Sequence, residues 1–142
     1  MDAKEFLESN LHEARRIEVL EAEKRKLQDK IDHITQDPTA EHVGGGGNSD
    51  KIGDLAAAIA DMTREIERAE EKASWRMMSV QSAINSLEDT EHQQILCYRY
   101  VYGKRSCEVA MMLHISERTE QRHCRSAISE VQKLLDDAYY CR

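Results

Sequence analysis

One proline, one phenylalanine and one tryptophan occur in 142 residues, and aromatic side chains make up only 5%. So few large apolar groups exclude a thick globular core, yet they suit long two-sided helices that bury a narrow stripe. Glycine is just as confined, with four of the six together at Gly44 to Gly47, close to Pro38. With the breakers gathered in one place, the stretches on either side are free to run as long helices. Nothing approaches the roughly 18 apolar residues of a membrane span, and no apolar segment of signal-peptide type opens the chain. A cytoplasmic protein with no membrane partner is therefore expected. The cysteines at 97, 107, 124 and 141 show no C-x-x-C spacing, so reduced thiols are expected rather than a disulfide framework.

Charge is abundant, at 33% of residues, and sums to −7. It is unevenly divided. Residues 1–88 carry 12 basic and 19 acidic side chains, whereas residues 89–142 carry 8 of each. The acid excess belongs wholly to the N-terminal part, so the C-terminal part is neutral and need not be repelled by a polyanion. It also lacks the clear positive field on which phosphate binding usually leans.

The periodicity predicts one helix over 2–36. From Ile17 a seven-residue repeat sets Ile17, Lys24 and Ile31 at one seam position and Leu20, Leu27 and Ile34 at the other. Leu7, Leu11 and Ala14 are out of phase with it, so the first turns should pack differently. Pro38 and the glycine run make residues 36–49 a linker. Their GGGGNSDK segment lacks the G-x-x-x-x-G-K-[ST] spacing of a phosphate loop. A second helix follows over about 50–88, capped at Asn48, Ser49 or Asp50. Ile52, Ile59, Ile66, Ala73, Val80 and Leu87 recur every seven residues, with Leu55, Met62, Ala69, Arg76 and Ala83 at the second position. Two helices of about 50 and 60 Å joined by a short linker predict an antiparallel coiled-coil hairpin over 1–88. Its seam is thin, which favours homo-oligomerisation through this arm. Most of Met62, Met77, Met78, Met111 and Met112 are expected in cores and seams, and Trp75 where the arm meets the C-terminal unit.

From Asp89 the pattern shortens to three helices within 89–137, followed by a fraying tail at 138–142. Thr90 and Gln93 form a capping-box pattern, the helix they open should run to Tyr102, and Gly103 should end it with positive φ. Ser106 is expected to cap the next helix, whose buried face is Val109, Ala110 and Leu113. After a short turn, Ser116 caps a third helix with the stripe Cys124, Ala127, Ile128, Val131 and Leu135. Short helix, tight turn and capped helix make a helix-turn-helix, so the fold class is all-α. On the last helix Glu117, Arg118, Gln121, Arg122 and Arg125 should face outward with Ser116. Arg can bridge guanine O6 and N7, and Gln can pair with adenine. Lys104 and Arg105 are placed to meet phosphate. An exposed charged helix face also reads as ordinary solvated surface, and these residues alone do not separate the two.

The pattern Leu96, Arg99-Tyr100, Gly103, Ser106, Glu108-Val109-Ala110, Leu113, Ile115-Ser116, Thr119 and Ala127 resembles region 4 of sigma-70-type factors, whose corresponding helix reads a promoter element. The whole layout is similar to small phage and prophage regulators of the RinA and ArpU type, in its charged first helix, Gly-rich link, Ser49-Asp50-Lys51-Ile52-Gly53-Asp54 opening and Ser116-Glu117-Arg118 start. The resemblance covers residues 1–135 in layout and about 95–130 in motif. It implies binding of double-stranded promoter DNA, contact with host RNA polymerase, and activation of late or packaging operons. This chain departs from the pattern at Glu120, where an apolar residue is usual. Either the helix turns Thr119 inward, or Glu120 pairs with an arginine.

Two other functions compete. Small terminase subunits also join a helix-turn-helix to an oligomerising helical region, though usually with the DNA-binding unit first. A coiled-coil adaptor without DNA binding would suit the neutral charge. Cys97, Cys107, His114, His123 and Cys124 fit no zinc spacing, and a thin helical protein offers little depth for a catalytic pocket. No metal, cofactor or catalytic residue is expected.

Overall fold

The computed structural model describes residues 1–36 and 47–140. Among them the chain is all-α: α1 (Ala3–Gln36), α2 (Gly47–Asn85), α3 (Thr90–Leu96), α4 (Ser106–Met112) and α5 (Glu117–Tyr140), with a π-helical turn (Cys97–Val101) continuing α3. Residues 37–46 of the expected linker, with Pro38, lie outside the described residues. No described helix is long and apolar enough to cross a membrane. Contacts divide the chain into two compact units, residues 14–72 and residues 1–13 with 73–142.

The first unit pairs parts of α1 and α2. Leu20, Ile66 and Ala69 are buried, with Ile17 and Met62 packed against them. Ile17, Lys24, Leu27, Ile31, Ile34, Ile52, Leu55, Ile59 and Met62 are half-buried while most of their neighbours are exposed, so the covered positions keep the seven-residue spacing. Lys24 can occupy such a position by laying its alkyl stem along the seam and keeping its ammonium in water. Arg16 and Glu65 flank the contact 3.5 Å apart.

The second unit gathers α3, α4 and α5 around Ile95, Leu96, Val109, Cys124, Ala127 and Val131, and its core also takes in Phe6, Leu7, Val80, Ile84 and Leu87. Full burial of a side chain such as Leu7 or Ile84 contributes about 1.5–3 kcal/mol. The out-of-phase start of α1 is thereby explained: its Ala3, Phe6 and Leu7 serve this core instead of the seam. Gln132 ties the start of α1 down, accepting from the Ala3 N–H at 2.8 Å and donating to the Met1 carbonyl at 3.1 Å.

Several local expectations are corrected. The second helix starts at Gly47, so Asn48, Ser49 and Asp50 lie inside it instead of capping it, and it ends at Asn85. Asp89, not Thr90, caps α3 by accepting from the N–H groups of Glu91 and His92. Gln93 turns away and donates to the carbonyls of Leu87 and Asn85 at the end of α2. Arg105, not Ser106, holds the cap position of α4. The last helix reaches Tyr140 with Asp136 to Tyr139 exposed, which replaces the frayed tail over the residues described. Trp75 is 66% exposed, and Met77, Met78, Met111 and Met112 are exposed too, leaving only Met62 of the five packed as expected. Their shared error is helical phase: each falls off the buried stripe of its helix.

Candidate nucleic-acid interface

The candidate surface is built by α4, the turn after it and the first turns of α5. Val109 and Ala110 are buried on α4, which packs against α5. The chain then reverses over Leu113 to Ile115. His114 takes a left-handed φ of 56°, which lets the Ile115 N–H reach the Ala110 carbonyl at 3.0 Å and close the end of α4. Ser116 caps α5 as expected, its Oγ accepting from the Thr119 N–H at 3.1 Å. Gly103 takes the positive φ expected of it, at 68°.

Capping and burial together set which edge of α5 faces out. Glu120, Cys124, Ala127 and Val131 point inward at spacings of four, three and four residues. Ser116, Glu117, Arg118, Gln121, Arg122 and Arg125 are all exposed, as are Lys104 and Arg105. Three arginines therefore stand on one edge against the single exposed carboxylate of Glu117. The side chains of Arg118, Gln121, Arg122 and Arg125 make no hydrogen bond or ion pair among the described residues. Arg105 differs. Its guanidinium lies 3.5 Å from Glu108, whose carboxylate also accepts from the Arg105 N–H at 2.9 Å. Those bonds hold the Glu108 carboxyl below the usual carboxylate range.

Glu120 is the feature that orders the site. It is fully buried, and of the two ways to accommodate it the chain uses pairing: its carboxylate lies 3.4 Å from the Arg99 guanidinium and accepts from the Ser106 hydroxyl. Arg99 comes from the π-helical turn, Ser106 opens α4 and Glu120 sits in the first turn of α5, so one carboxylate fastens three elements. Lys104 and Arg105 immediately precede Ser106 in the chain. Burial opposes the charge on Arg99, but Cys124 and Glu120 beside it outweigh that and push its pKa up. Burial pushes the Cys124 thiol up as well.

Sequence reasoning named Arg99 only as part of a pattern and gave Ser106 a different task. The signal that could have found the trio was Glu120 itself, a carboxylate in the apolar phase of a helix. A second polar group went unnoticed. His92 is buried between α3 and α5, with Nδ1 2.9 Å from Glu130 and Nε2 3.4 Å from Nδ1 of His123. These two contacts cross between helices, which no local spacing announces. Among the described residues no group of three or more His, Cys, Asp or Glu is arranged to hold a metal ion.

Residues 33–132 match the family described as Protein of unknown function (DUF1492). The match spans well over half of the chain, which therefore belongs to that family. No curated protein and no solved structure matches it.

Proposed function

We propose that this member of the DUF1492 family is a phage-type transcriptional regulator, which binds promoter DNA through a helix-turn-helix formed by α4 and α5. The observation that carries the reading is the edge of α5: Arg118, Gln121, Arg122 and Arg125 are exposed together on the first turns of a capped helix and make no bonds among the described residues. A surface helix stabilising its own fold tends to pair such charges along its length. A recognition helix holds them ready for base edges and phosphates. The sigma-70 region 4 and RinA/ArpU-type resemblance supports the same reading and adds host RNA polymerase as a partner in activation. Residues 1–88 act in it as an antiparallel coiled-coil arm through which copies associate. The reading assigns no catalytic, metal or cofactor role.

On DNA, Lys104 and Arg105 flank the inserted helix and contact phosphate, with Arg105 exchanging Glu108 for the backbone. The neutral charge of residues 89–142 means that affinity depends on a few well-placed contacts, and it should fall as salt rises with the modest slope that few phosphate contacts give. The test is a binding assay on fragments surrounding the gene itself, with and without excess nonspecific DNA. A specific site should emerge. Arg122→Ala should weaken binding there by about 1–3 kcal/mol and relax sequence preference at one position. Lys104→Ala should weaken all sequences alike and flatten the salt dependence. Failure to bind any fragment at low salt would mark an adaptor instead, and a ring-sized assembly on DNA would mark a packaging component.

A further inference from the structure

We propose that the outward face of α2 from Trp75 to Ser86 is a self-association surface whose occupant is a second copy of this chain, lying antiparallel to the first. This names the face through which the proposed self-association occurs, and it does not require DNA.

In this stretch Val80, Ile84 and Leu87 are buried in the core of their own unit. The opposite side of the helix presents Trp75, Met78 and Ser82, flanked by Asn85 and Ser86, at spacings that keep them on one face. Trp75 and Met78 are 66% and 64% exposed. No charged residue occurs from Met77 to Leu87, eleven positions in a chain that is 33% charged. Trp75 stands at the edge of this run, with Arg76 beside it, and the exposed methionines lie within it; absence of charge around exposed methionine is the composition of an interface centre, not of solvated surface.

Two serine hydroxyls beside this face are already paired within the helix. The Ser79 hydroxyl donates to the Trp75 carbonyl at 2.9 Å and the Ser86 hydroxyl to the Ser82 carbonyl at 2.8 Å. Covering those serines would strand no hydroxyl donor.

The size gradient identifies the occupant. Large side chains stand at the N-terminal end of the patch and small ones at the C-terminal end. Met77, Met78, Gln81, Ser82, Asn85 and Ser86 line a shallow groove of about 520 Å³ that runs along the face and ends among the small residues, ample for an indole ring. A two-fold axis near residue 80 sets Trp75 of one copy against Asn85 and Ser86 of the other, and Met78 against Ser82. Large then meets small twice, as an isologous contact requires. Parallel copies would oppose tryptophan to tryptophan and leave both grooves empty. The patch runs only about 17 Å along the helix, well short of a standard interface, so the dimer should be weak and concentration-dependent.

Sedimentation equilibrium on the full chain, over about 1–300 μM and at about 0.1 and 0.5 M salt, reads the association directly. Trp75 is the chain's one tryptophan, so its emission reports whether this face is covered. The wild type should pass from monomer to dimer with a blue shift in emission, insensitive to salt because no charge lies on the face. Ser82→Glu, at an exposed position, should keep wild-type helicity, remain monomeric and hold the emission red at every concentration. A wild type that stays monomeric throughout overturns the proposal. So does an oligomer that Ser82→Glu leaves intact or in which Trp75 stays exposed. Measuring DNA binding on the same samples separates the two readings: a dimer that ignores DNA removes only the regulator, and a monomeric wild type that binds specifically removes only this interface.

Discussion

Glu120 shows how much one side chain can decide. A carboxylate buried in an apolar stripe is costly unless paired, and here Arg99 and Ser106 supply the partners. The two ends of the ion pair are unequal, because Glu120 is fully buried while the Arg99 side chain retains contact with water. Arg99→Ala therefore strands a buried charge and should cost about 3 kcal/mol in urea unfolding, more than Glu120→Leu, which leaves an arginine able to reach solvent. Equal losses would mean that packing, not charge, governs the position. Tyr100 beside it makes a pH prediction. Burial is the main cause that pushes its hydroxyl up to about 12, with the neighbouring Cys124 adding to the rise. A tyrosine raised on folding contributes stability that is intact below its unfolded pKa near 10 and lost as pH climbs toward 12. Alkaline unfolding should thus be steeper in the wild type than in Tyr100→Phe over that window. Superimposable profiles would show that the ring ionises as freely folded as unfolded.

Among the elements, the turn between α4 and α5 does the most to aim the candidate edge, and it does so under strain. A non-glycine residue at the left-handed φ of His114 costs about 1 kcal/mol relative to glycine. His114→Gly should raise stability by up to about 1 kcal/mol in chemical unfolding without moving α5, whereas a β-branched residue there should lower it. A loss on His114→Gly would mean that the imidazole makes a contact worth more than the strain. The third helix was legible in sequence almost to the residue, since Ser116 announces its start and the 3.6-residue period its buried face. The start of α3 was less so. Thr90 and Asp89 are both good caps, and choosing between them depends on Gln93 being drawn off to the end of α2, a contact from a neighbouring helix. The π-helical turn had no local signal at all, because nothing in CYRYV distinguishes it from a continuing α-helix.

For the molecule as a whole, the two compact units do not follow the break at Asp89 that composition marks. Residues 1–13 and 73–142 share one core, and residues 14–72 form the other unit on a much thinner seam. Stability should be distributed accordingly. Ile66→Ala removes one of three buried side chains in the seam and should cost about 2–4 kcal/mol there. Amide exchange across 14–72 should accelerate while α3 and α5 stay protected. Uniform acceleration would show instead that the two units unfold as one.

The sequence by itself determined that this chain is helical, where four of its helices run, and which edge of the last one faces out. Those are consequences of local period, breaker placement and capping chemistry, each readable within a few residues. Only tertiary structure decided that the first turns of α1 complete the C-terminal core, that Glu120 is held by Arg99 and Ser106, and that Trp75 stands in water. Such outcomes depend on partners brought together from distant parts of the chain, and on a helical phase that burial, not spacing, selects.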